Sequence, residues 1–178
     1  MKIIPTNLPD VLLLEPKCYK DDRGFFLVSY QTDFFQKELN LNISFVQDNH
    51  SRSCKNVLRG LHFQTQHPQG KLVRVVSGEV YDVAVDIREN SRTFGQWFGT
   101  YLSAKNQRML WVPPGFAHGF LVTSEYADFL YKVTDIYSPK HEQTIHWSDP
   151  EIGIEWPLNN EELIISEKDS QGMNLSDL

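Results

Sequence analysis

The chain has 178 residues, with 23 acidic against 17 basic side chains and a net charge of −6 without a long run of either sign. One domain is expected at this length, large enough to build a core without disulfide or metal staples, and the basic face of a nucleic-acid binder is missing. The two cysteines, Cys18 and Cys54, make neither a CxxC pair nor a disulfide framework, which suits ordinary thiols in a reducing, cytoplasmic compartment.

In chain order, residues 11–14 are the longest early apolar stretch, far short of a signal-peptide core or of the roughly 20 residues of a membrane span. No membrane contact is expected. A strand is predicted over 25–30, then a short helix over 34–39 with Asp33 as N-cap, then a strand over 43–48. Residues 72–76 and 80–87 are predicted as strands joined by Ser77-Gly78-Glu79, a connection that suits a hairpin. In the second of these, Tyr81, Val83, Val85 and Ile87 share one face, while Val80, Asp82, Ala84 and Asp86 share the other. That places Asp82 as an inward partner for Lys71 or His62. Further strands are predicted over 96–102, 109–112, 119–122 and 128–134, and residues 90–110 otherwise read as strands and turns. Residues 171–178 have little to bury.

Short β-branched or aromatic runs, punctuated by Gly, Pro, Asn and Ser at intervals near ten residues, mark an all-β domain. Strands without intervening helices exclude a doubly wound α/β fold, and no GxGxxG or Walker-type loop occurs. An antiparallel sandwich or jelly-roll barrel with a ligand cavity remains. Pro114-Gly115-Phe116-Ala117-His118 resembles the PxGxxH motif of the cupin superfamily, yet the His-x-His pair of cupin metal sites is absent. A cupin-type jelly roll with short peripheral helices that keeps the cavity and holds no metal is the expectation. A metal-dependent cupin using His62, His67 and His118 with Glu79 or Glu142 is the competing one.

Seven blocks carry a more specific likeness. Asp21-Asp22-Arg23-Gly24-Phe25-Phe26, Val46-Gln47-Asp48-Asn49-His50-Ser51, Leu58-Arg59-Gly60-Leu61-His62-Phe63-Gln64, Gln69-Gly70-Lys71-Leu72-Val73, Gly78-Glu79-Val80-Tyr81-Asp82-Val83-Ala84-Val85-Asp86, Pro113-Pro114-Gly115-Phe116-Ala117-His118-Gly119-Phe120 and Ser166-Glu167-Lys168-Asp169 resemble, in order, the dTDP-4-dehydrorhamnose 3,5-epimerase family. The resemblance implies conversion of dTDP-4-dehydro-6-deoxy-D-glucose to dTDP-4-dehydro-L-rhamnose, a step towards dTDP-L-rhamnose for cell-surface polysaccharide. It calls for no cofactor: a proton leaves a carbon beside the ketone and another returns on the opposite face, which takes a base, an acid and a group that stabilises the enolate.

The resemblance makes His62 the base, Asp169 its partner from the C-terminal segment, Tyr131 the acid and Lys71 the group beside the keto oxygen. It also implies substrate contacts from Arg23, Phe25, Gln47, Asn49, Arg59, Lys71, His118, Tyr137, Glu142 and Lys168. Of these, Arg23, Arg59 and Lys168 suit the diphosphate, and Tyr137 suits stacking on the nucleotide. Where the family usually carries a nucleotide-contacting glutamate this chain has Val28, which leaves another nucleotide, or epimerisation at one carbon only, as alternatives. A non-catalytic sugar-nucleotide binding module is a further one. The family likeness also implies a homodimer, with residues 1–16 as an arm exchanged between protomers and residues 159–178 closing on the site of a single domain spanning 1–178.

Overall fold

The computed structural model describes residues 1–37, 42–158 and 162–178. Strands β1 (Lys2–Ile4), β2 (Leu12–Glu15), β3 (Cys18–Asp21) and β4 (Gly24–Leu27) precede helix α1 (Thr32–Lys37). Then come β5 (Gln47–Cys54), β6 (Val57–Gln64), β7 (Lys71–Ser77), β8 (Glu79–Asp86), β9 (Trp97–Ser103), β10 (Met109–Val112), β11 (Phe116–Val122), β12 (Tyr126–Val133) and β13 (Glu142–Thr144). The C-terminal stretch adds β14 (Ile164–Ile165), helix α2 (Glu167–Ser170) and a 3-10 turn, Leu175–Asp177.

Two sheets form the sandwich, in the orders β1-β2-β10-β7-β12-β5 and β13-β6-β11-β8-β9, with β14 added to β6 in parallel and β3-β4 standing apart as a two-stranded ribbon. This is the jelly-roll expectation, all-β with two short helices. Alternation explains the packing. On β8, Val80 and Ala84 point between the sheets, where they meet Val73, Val75, Leu110, Phe120 and Phe129. Val83 and Val85 point the other way, under a C-terminal layer containing Ile145, Ile152, Trp156 and Leu175. A third cluster covers the outside of the first sheet, where Phe35 of α1 packs on Leu14, Leu72, Met109 and Trp111.

Several local expectations are corrected. Ser77-Gly78-Glu79 is not a hairpin: β7 pairs with β10 and β12, β8 with β9 and β11, so the chain crosses between sheets there. Both strands are buried on two faces, and burial on two faces erases the solvent-side signal that would reveal a corner. The helix starts at Thr32, which puts Asp33 inside its first turn, where it takes Lys37 at 3.0 Å; position 39 lies outside the described residues. The strand expected over 43–48 begins only at Gln47 and runs to Cys54.

Within residues 1–16, β1 pairs with β2 at one edge of the first sheet, and Leu8, Val11, Leu13 and Leu14 are buried. Residues 171–178 do find something to bury, since Leu175 is 6% exposed.

Candidate active site

Between the sheets lies a cavity of about 330 Å³ lined by Gln47, Asn49, Ser51, Arg59, His62, Gln69, Lys71, His118, Gly119, Phe120, Phe129, Tyr131, Tyr137 and Glu142. Strand periodicity supplies most of these. On β5 every second residue, Gln47, Asn49 and Ser51, faces in, and Gln47 donates to Asn49 at 2.6 Å. On β6, Arg59 and His62 reach the cavity across an irregular stretch. A side chain at Gly60 would bring a Cβ within 2.5 Å of the Gly119 Cα, and one at Gly119 would meet the Arg59 carbonyl at 2.5 Å. The two glycines let β6 and β11 approach closely where their register shifts, leaving His118 directly opposite His62.

His62 donates through Nε2 to Asp169 Oδ1 at 2.6 Å, because a carboxylate only accepts. In the neutral imidazole the lone pair then lies on Nδ1. Asp169, 3% exposed, sits on α2, whose N-cap Ser166 accepts the Asp169 N–H at 3.1 Å, and its other oxygen accepts the Gly60 N–H at 3.3 Å. Burial pushes the Asp169 carboxyl up, but the bonds from His62, Gly60 and Ser166 outweigh it, and the group titrates below its usual range.

His118 makes a second such pair with Asp82, at 2.9 and 3.1 Å, both residues buried. Asp82 faces inward as expected and its charge acts on Lys71, but its hydrogen bonds go to His118 and not to His62. That neighbour lies on β11, which pairs beside β8 and places Ala84 opposite His118. Sheet neighbours of this kind are set by pairing order, to which spacing along one strand is blind.

Lys71, at the start of β7, is 9% exposed and donates to the His62 carbonyl at 3.3 Å. Burial pushes its ammonium down to about 8, with Asp82 and Glu142 acting the other way. Tyr131, on β12, projects into the cavity from the first sheet, while His62 projects from the second. Burial pushes the Tyr131 phenol up, as does the charge of Glu142, against a smaller opposing effect of Arg59. The phenol therefore keeps its proton at neutral pH.

At the mouth, Glu142 accepts the Tyr137 hydroxyl at 2.7 Å and pairs with Lys168 of α2. Burial raises the Glu142 carboxyl, but these two bonds outweigh it and hold it low. The same carboxylate pushes Tyr137 up to about 12. Arg59 donates to Ser53 at 3.0 Å.

The structure thus brings His62, Lys71, Tyr131, Gln47, Asn49, Arg59, His118, Tyr137 and Glu142 to one cavity, with Asp169 and Lys168 touching two of them from α2. Arg23 and Phe25 are elsewhere. They lie on the β3-β4 ribbon, Arg23 bonded to Asp21 and Phe25 60% exposed. Ser51, Gln69, Phe120 and Phe129 line the cavity without having been singled out; the period of two that relates Gln47 and Asn49 on β5 extends to Ser51. Phe120 and Phe129 stack across the two sheets at 4.3 Å between centroids.

Of the residues of the metal alternative, His62, His118 and Glu142 reach the cavity, while His67 and Glu79 do not. His67 faces Asp135 and Glu79 accepts from Thr123. Among the described residues no group of three His, Cys, Asp or Glu side chains is placed to hold a metal ion.

Comparison with known proteins places the chain in a family. The family model described as dTDP-4-dehydrorhamnose 3,5-epimerase matches residues 5–177. A dTDP-4-dehydrorhamnose 3,5-epimerase of Pseudomonas aeruginosa is 56% identical over 177 residues, covering 99% of this chain and 97% of that protein. One from Salmonella typhimurium is 60% identical over 160 residues, 89% of this chain and 87% of the relative. The crystal structure of a dTDP-6-deoxy-D-glucose-3,5-epimerase from Legionella pneumophila, in complex with dTDP-4-keto-L-rhamnose, superposes with a TM-score of 0.96 at 52% identity, over 98% of this chain and 93% of that one. A cavity walled by a carboxylate-backed histidine, a buried lysine and a protonated tyrosine accords with proton transfer beside a ketone, and on this matching the chain belongs to the dTDP-4-dehydrorhamnose 3,5-epimerase family.

Proposed function

We propose that the chain interconverts dTDP-4-dehydro-6-deoxy-D-glucose and dTDP-4-dehydro-L-rhamnose with His62 as base and Tyr131 as acid. The observation that carries the assignment is their placement on opposite sheets facing one cavity, since inversion requires removal and return of the proton on opposite faces of the ring. His62 Nδ1 takes the proton from the carbon beside the ketone, and the C–H electron pair moves onto the C4 oxygen as an enolate. The Lys71 ammonium stabilises that oxygen in a site sheltered from water, where fixed charge acts strongly. Asp169 holds the imidazole tautomer and stabilises the imidazolium. Tyr131 then delivers its phenolic proton to the other face. Exchange with solvent restores both groups before the second carbon reacts.

Arg59 and Lys168 are assigned to the diphosphate, Gln47, Asn49 and His118 to polar contacts with the substrate, and Tyr137, held by Glu142, to stacking on the nucleotide. Arg23 and Phe25 fit this scheme only through a second copy. In a homodimer, the β3-β4 ribbon of one protomer laid beside the open β5 edge of the other would bring them next to Gln47 and Asn49. The free thiols Cys18 and Cys54 support a reducing, cytoplasmic setting.

The test is proton NMR of the enzyme with dTDP-4-dehydro-6-deoxy-D-glucose in heavy water. Loss of the signals at carbons 3 and 5 with formation of the L-configured product is expected. Exchange at one carbon would reduce the activity to a single-site epimerase, and no exchange at either would overturn the proposal.

A further inference from the structure

The carboxylate behind His62 stands on a weak support. Helix α2 has four residues, far below the ~12–15 at which a helix holds itself in water, so its position must come from what flanks it. On the N-terminal side, Ile164 and Ile165 pair in parallel with Val57 and Leu58 of β6. On the C-terminal side the chain is tied down more heavily. The Met173 N–H donates to the Thr144 carbonyl at 2.9 Å, and the Met173 carbonyl accepts from His146 at 2.8 Å. Two residues later the Leu175 N–H donates to Asp149 Oδ2 at 2.7 Å.

Asp149 is 2% exposed. Its other oxygen accepts the N–H groups of Glu151 at 2.7 Å and Ile152 at 3.2 Å. Both carboxylate oxygens therefore serve backbone donors, one set in the turn after β13 and one in the tail. The Leu175 side chain packs into the cluster containing Leu58, Leu61, Ile145, Ile152 and Trp156, beneath the strand that carries His62. Gly172 completes the join: a Cβ there would lie 2.6 Å from the His146 nitrogen, so only glycine lets the tail pass this close after α2.

We propose that Asp149 and Leu175 are positioning residues for the reaction, forming a clasp that sets the distance between Asp169 and His62. Neither lines the cavity, and neither touches His62 or Asp169 by any hydrogen bond. They act by fixing one end of α2, while β14 fixes the other. Slack in the clasp lets Asp169 drift from His62 and also loosens Lys168 from Glu142, because both residues ride on the same helical turn. The inference rests on the proposed roles of His62 and Asp169, and its test separates the two.

The experiment compares wild type with Leu175→Ala, Asp149→Ala and the conservative Leu175→Met. It reads kcat and KM for the 4-keto sugar nucleotide, circular dichroism, and the downfield proton signal of the His62 Nε2–H, assigned by its loss in His62→Gln. A short N–H bond to a carboxylate deshields that proton and slows its exchange. Leu175→Ala and Asp149→Ala are expected to keep native circular dichroism, to lose the downfield signal and to lower kcat between about 10- and 100-fold, as small misplacement does, with a smaller rise in KM as Lys168 loosens. Leu175→Met restores the signal and kcat.

A signal and kcat that stay within twofold of wild type in folded Leu175→Ala would overturn the clasp. If Asp149→Ala does not fold, the graded pair Leu175→Ala and Leu175→Met decides alone. The signal is read without substrate. Its loss in a chain whose wild type does not epimerise leaves the clasp standing and sinks the proposed function. A fall in kcat with the signal intact sinks the clasp and leaves the function.

Discussion

Replacing Asp169 with asparagine isolates the charge behind His62. As the base accepts a proton it becomes an imidazolium in contact with the carboxylate, 2.6 Å between heavy atoms. For unit charges about 4 Å apart at an effective dielectric near 20, the attraction is ~4 kcal/mol. The His62 side chain is 29% exposed, and solvent screening reduces that to ~3 kcal/mol, or roughly 10²-fold in rate. Asparagine also cannot reproduce the hydrogen bonds. Asp169 accepts from both His62 and the Gly60 N–H, whereas an amide has one accepting oxygen. With that oxygen on Gly60, the NH2 faces His62 and forces the tautomer whose Nδ1 carries a hydrogen. The assay is kcat from hydrogen exchange at carbons 3 and 5, with KM measured alongside. The expected result is a fall in kcat of about two orders of magnitude with KM little changed, because Asp169 is not a cavity-lining residue. Combined with His62→Ala, the substitution should cost nothing further, since its effect passes through the imidazole. A kcat within a few-fold of wild type, or full additivity with His62→Ala, would refute the reasoning.

Tyr131→Phe keeps the ring and removes the proposed acid. Turnover should fall about 10²- to 10⁴-fold, with exchange of the carbon-bound hydrogen outlasting inversion in heavy water. Because burial brings Lys71 down to about 8, its ammonium is present below that pH and lost above it, so kcat/KM should decline on the alkaline side near pH 8. Lys71→Arg, whose guanidinium stays charged, should move that limb upward whatever it does to the maximum rate. Asp86 is a separate case of stability. Fully buried, it accepts from Arg88, Ser91 and Thr93, and Asp86→Ala should cost about 3 kcal/mol in urea unfolding by leaving those donors unpaired. Burial pushes the Asp86 carboxyl up, but these bonds outweigh it and hold it well below the carboxylate range. Its contribution is therefore complete above about pH 4 and lost as the pH falls further.

The all-β class and the inward face of β8 were legible because alternation is a local signal. Gln47 and Asn49 came from the family likeness, and the strand then sets them two residues apart on one face. The β6 strand, which carries His62, escaped the strand reading. Its burial runs through Leu58, Gly60, Leu61, Phe63 and Gln64 without alternation, and a strand covered on both faces shows no period of two. The Ser77-Gly78-Glu79 connection misled for a related reason, since its length suits a hairpin while the partner of each flanking strand is chosen by sheet order.

The C-terminal tail shows the same limit from the other side. Residues 171–178 hold one leucine whose side chain finds the core, while its backbone N–H donates to Asp149, 26 residues earlier. Seen alone, Leu175 is one apolar residue in a polar tail; in the fold it anchors the helix that presents Asp169. The parts of the site that sequence conveys are therefore the groups that line the cavity, because their chemistry constrains their identity. What holds those groups in place is distributed among ordinary backbone donors and buried leucines. Replacements there should disturb catalysis through geometry while leaving the cavity wall chemically intact.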